Sequence, residues 1–229
     1  LMSPPDEYAE EAARWREVLR EKLGPGRHAV LELGVGGGHN LSHLTAEFEA
    51  TAVDLSDAML AQCRALNPGV PTCVGDMRSV RLDRTFAAVL LHDAVSHMLT
   101  EEDVAAVFET AAAHLDKGGV VIASPDRYRE NFLPPETEHV TNASDTLRVT
   151  WFEYTHDPDP DDTVVEHVFT YLIASADGLR IEHDRLHTGL FPQSTWLRLM
   201  DQAGFTPEVR TFALQIWPKP YQLLVGVLR

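Results

Sequence analysis

Three carboxylates stand at intervals that suit one extended ligand: Glu32 inside AVLEL, Asp54 closing ATAVD, and Asp76 in VGDM. Between the first two, Gly34, Gly36, Gly37 and Gly38 put four glycines into five positions. A main chain that bare lets backbone amides approach a ligand closely and tolerates the left-handed conformations of a tight turn. A carboxylate twenty residues after Gly34, at the end of a second strand, is placed to accept both hydroxyls of a ribose. Asp76 suits the exocyclic amine of adenine, with the Met77 amide and side chain meeting the ring and Leu55 and Met59 packing nearby. Glu32 is a charge in an apolar run, and a buried carboxylate is costly unless paired. An α-amino group on the ligand, or the amides of the glycine turn, supplies that pairing.

These features discriminate between nucleotides. A dinucleotide fingerprint needs G-x-G-x-x-G, and counted from Gly34 its third glycine falls on His39. A pyrophosphate also offers Glu32 no partner. The ordered set of acidic strand, G-x-G-x-G, ribose carboxylate and Asp-Met favours S-adenosylmethionine, with S-adenosylhomocysteine as its product. A nicotinamide oxidoreductase and a catalytically silent binding protein remain the competing classes.

Transfer of a methyl group from a sulfonium is an in-line displacement, so the protein must chiefly align the acceptor and exclude water. LLHDAVSHML follows a fourth strand and puts His92, Asp93 and His97 on the edge facing the ligand. His92 is read as cofactor-contacting, and Asp93 and His97 as acceptor-side acid–base groups. Arg127 and Arg129 in SPDRYRENF offer cations to a substrate phosphate, with Arg148, Arg180 and Arg185 further on. His139, His156, His167, His183 and His187 raise a metal question. His183 and His187 are four residues apart, about 13 Å along a strand rising ~3.3 Å per residue, too far to share one ion. No metal is expected, and these histidines read as half-exposed strand positions.

The elements that must hold these groups alternate. An amphipathic helix over 7–23 ends at GPG; strands follow at 29–33, 50–55, 72–75, 86–91 and 120–124, separated by helical LSHLTAEF, SDAMLAQCRAL and TEEDVAAVFETAAAHL. Continuous hydrophobicity in the strands implies a parallel sheet covered on both faces. After residue 135, TLRVTWFEYTHD, DTVVEHVFTYLIAS and GLRIEHDRLHTGLF read as antiparallel hairpins, then STWLRLMDQAGF as helix and YQLLVGVL as strand. The expected fold is α/β, a doubly wound, seven-stranded, mostly parallel sheet with an antiparallel β insertion after strand 5. Its parts are an N-terminal helix and lid (1–23), a cofactor-binding core (24–135), the insertion over the substrate side (136–190), and a helix and strand completing the core (191–229).

The 229 residues carry a formal charge of −16, which opposes binding to nucleic acid phosphate or an anionic membrane. A small soluble substrate is expected instead. Cys63 and Cys73 read as reduced thiols, no run reaches membrane-span length, and a cytoplasmic location follows. Trp151, Phe152, Phe169 and Tyr171 suit either a pocket cover or a homodimer interface.

ELGVGGG, AVDLS, VGDM and LDKGGVVI resemble the successive motifs of class I S-adenosylmethionine-dependent methyltransferases. YAEEA, AMLAQCRALNPGVPTCVGDMRSVRL, the insertion and LLVGV are similar to the nucleotide-sugar N,N-dimethyltransferases of antibiotic biosynthesis. The resemblance implies that Glu32 and the Gly34–Gly38 loop hold the methionine moiety, Asp54 the ribose, and Asp76 with Met77 the adenine. It also implies that Tyr8 lies near the cofactor. Where that family carries a His or Tyr after the fourth strand, this chain has Met98, with His97 beside it.

Overall fold

The computed structural model describes residues 4–215 and 220–229; Leu1 to Ser3 of the expected lid lie outside them. A 3₁₀ turn, Pro5–Tyr8, leads into α1, Ala9–Leu23. Then come β1 Ala29–Leu33, α2 His39–Ser42, β2 Glu49–Asp54, α3 Asp57–Leu66, β3 Thr72–Val74, β4 Phe86–Leu91, α4 Glu101–Ala113 and β5 Leu115–Ala123. Four long strands follow, β6 Glu136–Ala143, β7 Leu147–His156, β8 Val164–Ser175 and β9 Gly178–Gly189. The chain closes with α5 Gln193–Gln202, β10 Phe205–Phe212 and β11 Tyr221–Leu228.

Seven strands form the main sheet in the order β10-β11-β5-β4-β1-β2-β3, with β11 antiparallel to both its neighbours. The strand order reverses between β1 and β4, which opens a crevice at their C-terminal ends. Successive strand residues point to opposite faces. Leu31, Leu33, Val89 and Leu91 therefore pack towards α4 and α5, where Phe108 and Trp196 meet edge to face. Val30, Ala52, Leu90 and Ile122 pack towards Trp15, Val18 and Leu19 of α1 and Leu60 of α3. Both faces are covered, as the uninterrupted apolar strands require.

Local chemistry starts the helices. Thr100 accepts a hydrogen bond from the Asp103 amide to cap α4, and Ser56 accepts from Met59 to cap α3. LSHLTAEF departs from its expected helix: regular helix stops at Ser42, and hydrogen-bonded turns carry the chain on to Phe48. Leu41, Leu44 and Phe48 are nonetheless buried, because such turns repeat at nearly the helical interval. Two strands had no sequence reading of their own, β6 and β10.

The insertion is a separate antiparallel sheet, β6-β7-β8-β9. It is moored at one end. The Thr163 hydroxyl donates to the Leu99 carbonyl, and Arg129 donates to the carbonyls of Pro160, Asp162 and Leu190. Among the described residues no helix is long and apolar enough to cross a membrane.

Candidate active site

A cavity of about 410 Å³ lies at the crevice, walled by the glycine turn, the ends of β4 and β5, and the inner face of the insertion. Tyr8, Glu32, Gly34, Gly36, Met59, His92, Asp93, His97 and Arg127, all expected at the site, line it. Gly38, Asp54, Leu55, Asp76 and Met77 stand behind or beside that wall.

The glycine turn is built as its composition demands. Gly34, Gly36 and Gly38 have φ of 76°, 56° and 76°, where a side chain is strained. A Cβ on Gly34 would come within 2.6 Å of the Ala94 Cβ and 2.5 Å of the Met77 Cε. Asp54 fastens the turn from below, accepting from the Gly36 amide at 2.7 Å on one oxygen and from the Ser56 amide at 2.8 Å on the other. Each oxygen keeps a second lone pair for a ribose hydroxyl.

Glu32 is 2% exposed, and its Oε2 has no hydrogen-bond partner. Burial raises its pKa to about 8, against a smaller opposing effect of His92. Asn40, also buried on the cavity wall, has neither side-chain atom bonded. A buried acceptor and a buried amide left open beside a cavity fit an amino-acid moiety, its ammonium on Glu32 and its carboxylate within reach of the Asn40 amide. In the sequence Asn40 is inconspicuous, because an asparagine after a glycine turn looks like turn chemistry.

Beyond β2 and β3, Leu55 and Val74 are 71% and 55% exposed; the register sets Asp54 beside Val74. This apolar ledge next to Met59 suits the face of a purine. Asp76 differs from its expected availability: both oxygens accept from Arg78, whose guanidinium also reaches Asp103. That contact holds Asp76 below the usual carboxylate range, and an adenine amine must share the carboxylate with the guanidinium.

His92 is buried between two carboxylates, with Nε2 2.9 Å from Glu11 and Nδ1 3.1 Å from Asp93. Burial opposes charge on the ring, but Asp93 and Glu11 outweigh it and hold the pKa well above the ordinary histidine value. These three residues bring their ligand atoms within 4.8 Å of one another, and the imidazole held between the two carboxylates serves as their counter-ion. Helix α1 delivers Glu11 to this position through Trp15, whose indole N–H donates to the Tyr221 hydroxyl at 2.7 Å. Tyr8, one turn earlier, stacks on His39 with ring centres 5.7 Å apart.

The part of the cavity towards the insertion is mostly acidic. Asp126, on the loop after β5, opens to the cavity but is crowded by protein; that crowding, reinforced by Asp93, raises its pKa to about 8. Its amide donates to the Ser96 hydroxyl. The His97 ring faces the cavity, bonds the backbone of His187 on β9, and has its pKa lowered by desolvation and then by His167. Arg127 lines the cavity with its Nε on Glu136 at 3.0 Å. Arg129 is a correction to the expected substrate contacts: it is absent from the lining, and its guanidinium is taken up by the three insertion-side carbonyls named above. His167 is another, being 3% exposed and hydrogen-bonded at both nitrogens rather than half-exposed.

The chain is similar to known methyltransferases. A methyltransferase domain family matches residues 30–119. A dTDP-3-amino-3,4,6-trideoxy-alpha-D-glucopyranose N,N-dimethyltransferase of Streptomyces venezuelae is 36% identical over 128 residues, 55% of this chain and 54% of the relative, so the match spans about half the relative's length. A dTDP-3-amino-3,6-dideoxy-alpha-D-glucopyranose N,N-dimethyltransferase of Streptomyces fradiae is 29% identical over 205 residues, 88% of this chain and 79% of the relative. Among solved structures, the sugar N-methyltransferase KedS8 of a Streptoalloteichus species superposes with a TM-score of 0.87 at 30% identity, covering 97% of this chain and 88% of that one. With the reversed sheet order, the glycine turn and the unpaired Glu32 already in place, the chain belongs to the S-adenosylmethionine-dependent methyltransferases.

Proposed function

We propose that this protein methylates the amine of a small acceptor, with a nucleotide-linked aminosugar as the leading substrate class. The observation that carries the reading is the buried Glu32 carboxylate, open on one oxygen beside the glycine turn. S-adenosylmethionine supplies an electrophilic methyl group when bound. The chain's own part is to seat the ammonium on Glu32, the ribose on Asp54 and the purine against Leu55, Val74 and Met59. The aromatic and acidic roof then keeps water from the acceptor.

The acceptor half supports an amine over a hydroxyl. Asp93 and Glu153 line it, and carboxylates attract an ammonium while giving a neutral alcohol only hydrogen bonds. The dTDP-aminosugar N,N-dimethyltransferases that the chain resembles support the same reading. One observation favours a second reading, an amine without phosphate: Arg127, the cation at the cavity, is already bonded to Glu136.

Titration calorimetry should detect S-adenosylhomocysteine binding and no NAD binding. Mass-resolved methyl transfer to dTDP-aminosugars, set against phosphate-free aminosugars, separates the two acceptor classes. Binding of NAD in preference to S-adenosylhomocysteine would sink the methyltransferase reading.

A further inference from the structure

The insertion brings a carboxylate, an imidazole and a hydroxyl into line at the cavity wall. Glu153 on β7, His167 on β8 and Thr188 on β9 occupy three adjacent strands. Register places Phe169 opposite Glu153 and Val165 opposite Thr188, so His167 lies diagonally between its two partners. The Glu153 Oε1 is 2.7 Å from the His167 Nδ1, and the His167 Nε2 is 2.8 Å from the Thr188 Oγ1. Thr155 donates its hydroxyl to the same Glu153 oxygen at 2.8 Å, fixing the carboxylate. All three members of the chain line the cavity, as do Asp93 and Asp126.

Resting on the amine-methyltransferase reading above, we propose that Glu153, His167 and Thr188 form a proton relay that takes a proton from the acceptor ammonium. An ammonium has no lone pair and must lose a proton before it can attack. As the ammonium passes its proton to the Thr188 Oγ, the Thr188 hydroxyl proton moves to the His167 Nε2. The imidazolium formed is stabilised by the Glu153 carboxylate at Nδ1. The freed nitrogen lone pair then forms the N–C bond as the methyl–sulfur bond breaks and its electron pair remains on sulfur. Release of the relay proton to solvent resets the chain.

Thr188 is the catalytic residue here; His167 and Glu153 act through it as positioning residues. Burial of the imidazole and hydroxyl keeps bulk water from competing for the proton. Glu153 is held below its ordinary pKa: burial opposes this, but the hydrogen bonds from His167 and Thr155 prevail, so the carboxylate is ionised when the relay needs it. The other charged and titratable groups facing this chain are His97 from the loop after β4, Tyr171 on β8, and Arg127 and Glu138 beside Glu153. Sequence gives no hint of the assembly, because its members are separated by 14 and 21 positions and meet only through strand pairing.

The test is kcat/KM for an amine acceptor measured across the acceptor's own titration, in the wild type and in His167→Asn, Thr188→Val and Thr188→Ser. A relay contributes about 10²–10⁴-fold. The expected result is a loss of that order in H167N and T188V where the acceptor is an ammonium, shrinking towards the wild-type rate where it is already neutral, with T188S restoring most activity. Unchanged S-adenosylhomocysteine affinity by calorimetry establishes that a variant is folded; should H167N fail this, the T188V and T188S pair decides. Profiles that stay parallel to wild type at all pH overturn the relay and leave a purely structural triad. If the wild type methylates no amine, the functional reading falls and the relay with it.

Discussion

The Glu11 carboxylate and the His92 imidazole meet at 2.9 Å, joining helix α1 to the loop after β4 across the cofactor side of the cavity. Both side chains are almost fully buried. His92→Phe removes the imidazole that bonds both Glu11 and Asp93. Loss of one partner of a buried pair costs about 3–5 kcal/mol, and equilibrium urea unfolding should show a loss of that size. Imidazole NMR should find the wild-type ring protonated at neutral pH.

Glu32 makes the stability of the ligand-free protein pH-dependent. Its pKa is 4.5 in the unfolded chain and about 8 when folded, so between those values the folded state retains a proton that the unfolded state has lost. Stability is therefore fullest below the lower value and declines as pH rises towards the upper one. Melting temperatures across this window should fall in the wild type, and the slope should be shallower in Glu32→Gln. His92 and Asp126, whose pKa values are also raised, add slopes of the same sign.

The same substitution should weaken cofactor binding. Losing a charge-assisted hydrogen bond costs about 1.5–3 kcal/mol, roughly ten- to hundred-fold in affinity for S-adenosylhomocysteine by calorimetry. Unaltered affinity in E32Q would remove the ammonium from this carboxylate.

Gly34→Ala tests the turn. A side chain at φ 76° costs about 1–2 kcal/mol in strain, and the approach to Ala94 and Met77 adds about 1–3 kcal/mol of overpacking. The variant should melt earlier and bind S-adenosylhomocysteine poorly. Asp54→Ala should also lose binding, since the Gly36 and Ser56 amides lose the acceptor that shapes the loop.

Arg129→Ala should separate mooring from catalysis. Expected is faster proteolysis in the 157–163 turn, whose carbonyls the guanidinium holds, with S-adenosylhomocysteine affinity unchanged. Arg127→Ala, within the cavity, should instead raise the acceptor KM; an unaltered KM would exclude it as a substrate contact.

The cofactor half was legible in the sequence because its signals are local. A strand, a glycine turn and a carboxylate within a few residues of one another imply one sheet edge, and Glu32 with Gly34 to Gly38 arrive there together. Glu11 was illegible for the opposite reason: in DEYAEEAARW it looks like any solvent-facing helical acid, and only the docking of Trp15 turns it inward. Asp126 sits one residue before Arg127, in a stretch whose arginines dominate its character. Strand β10 hides behind Pro207, which is tolerated because the strand lies at the sheet edge. Strand β6, another edge, is polar enough to pass for loop.

Because the insertion is fastened at the 157–163 turn while the opposite turn at Ala176 and Asp177 is exposed, the sheet is a cantilever over the cavity. A fluorescent reporter attached at Ala176 would sit at that exposed tip, away from the residues that line the cavity.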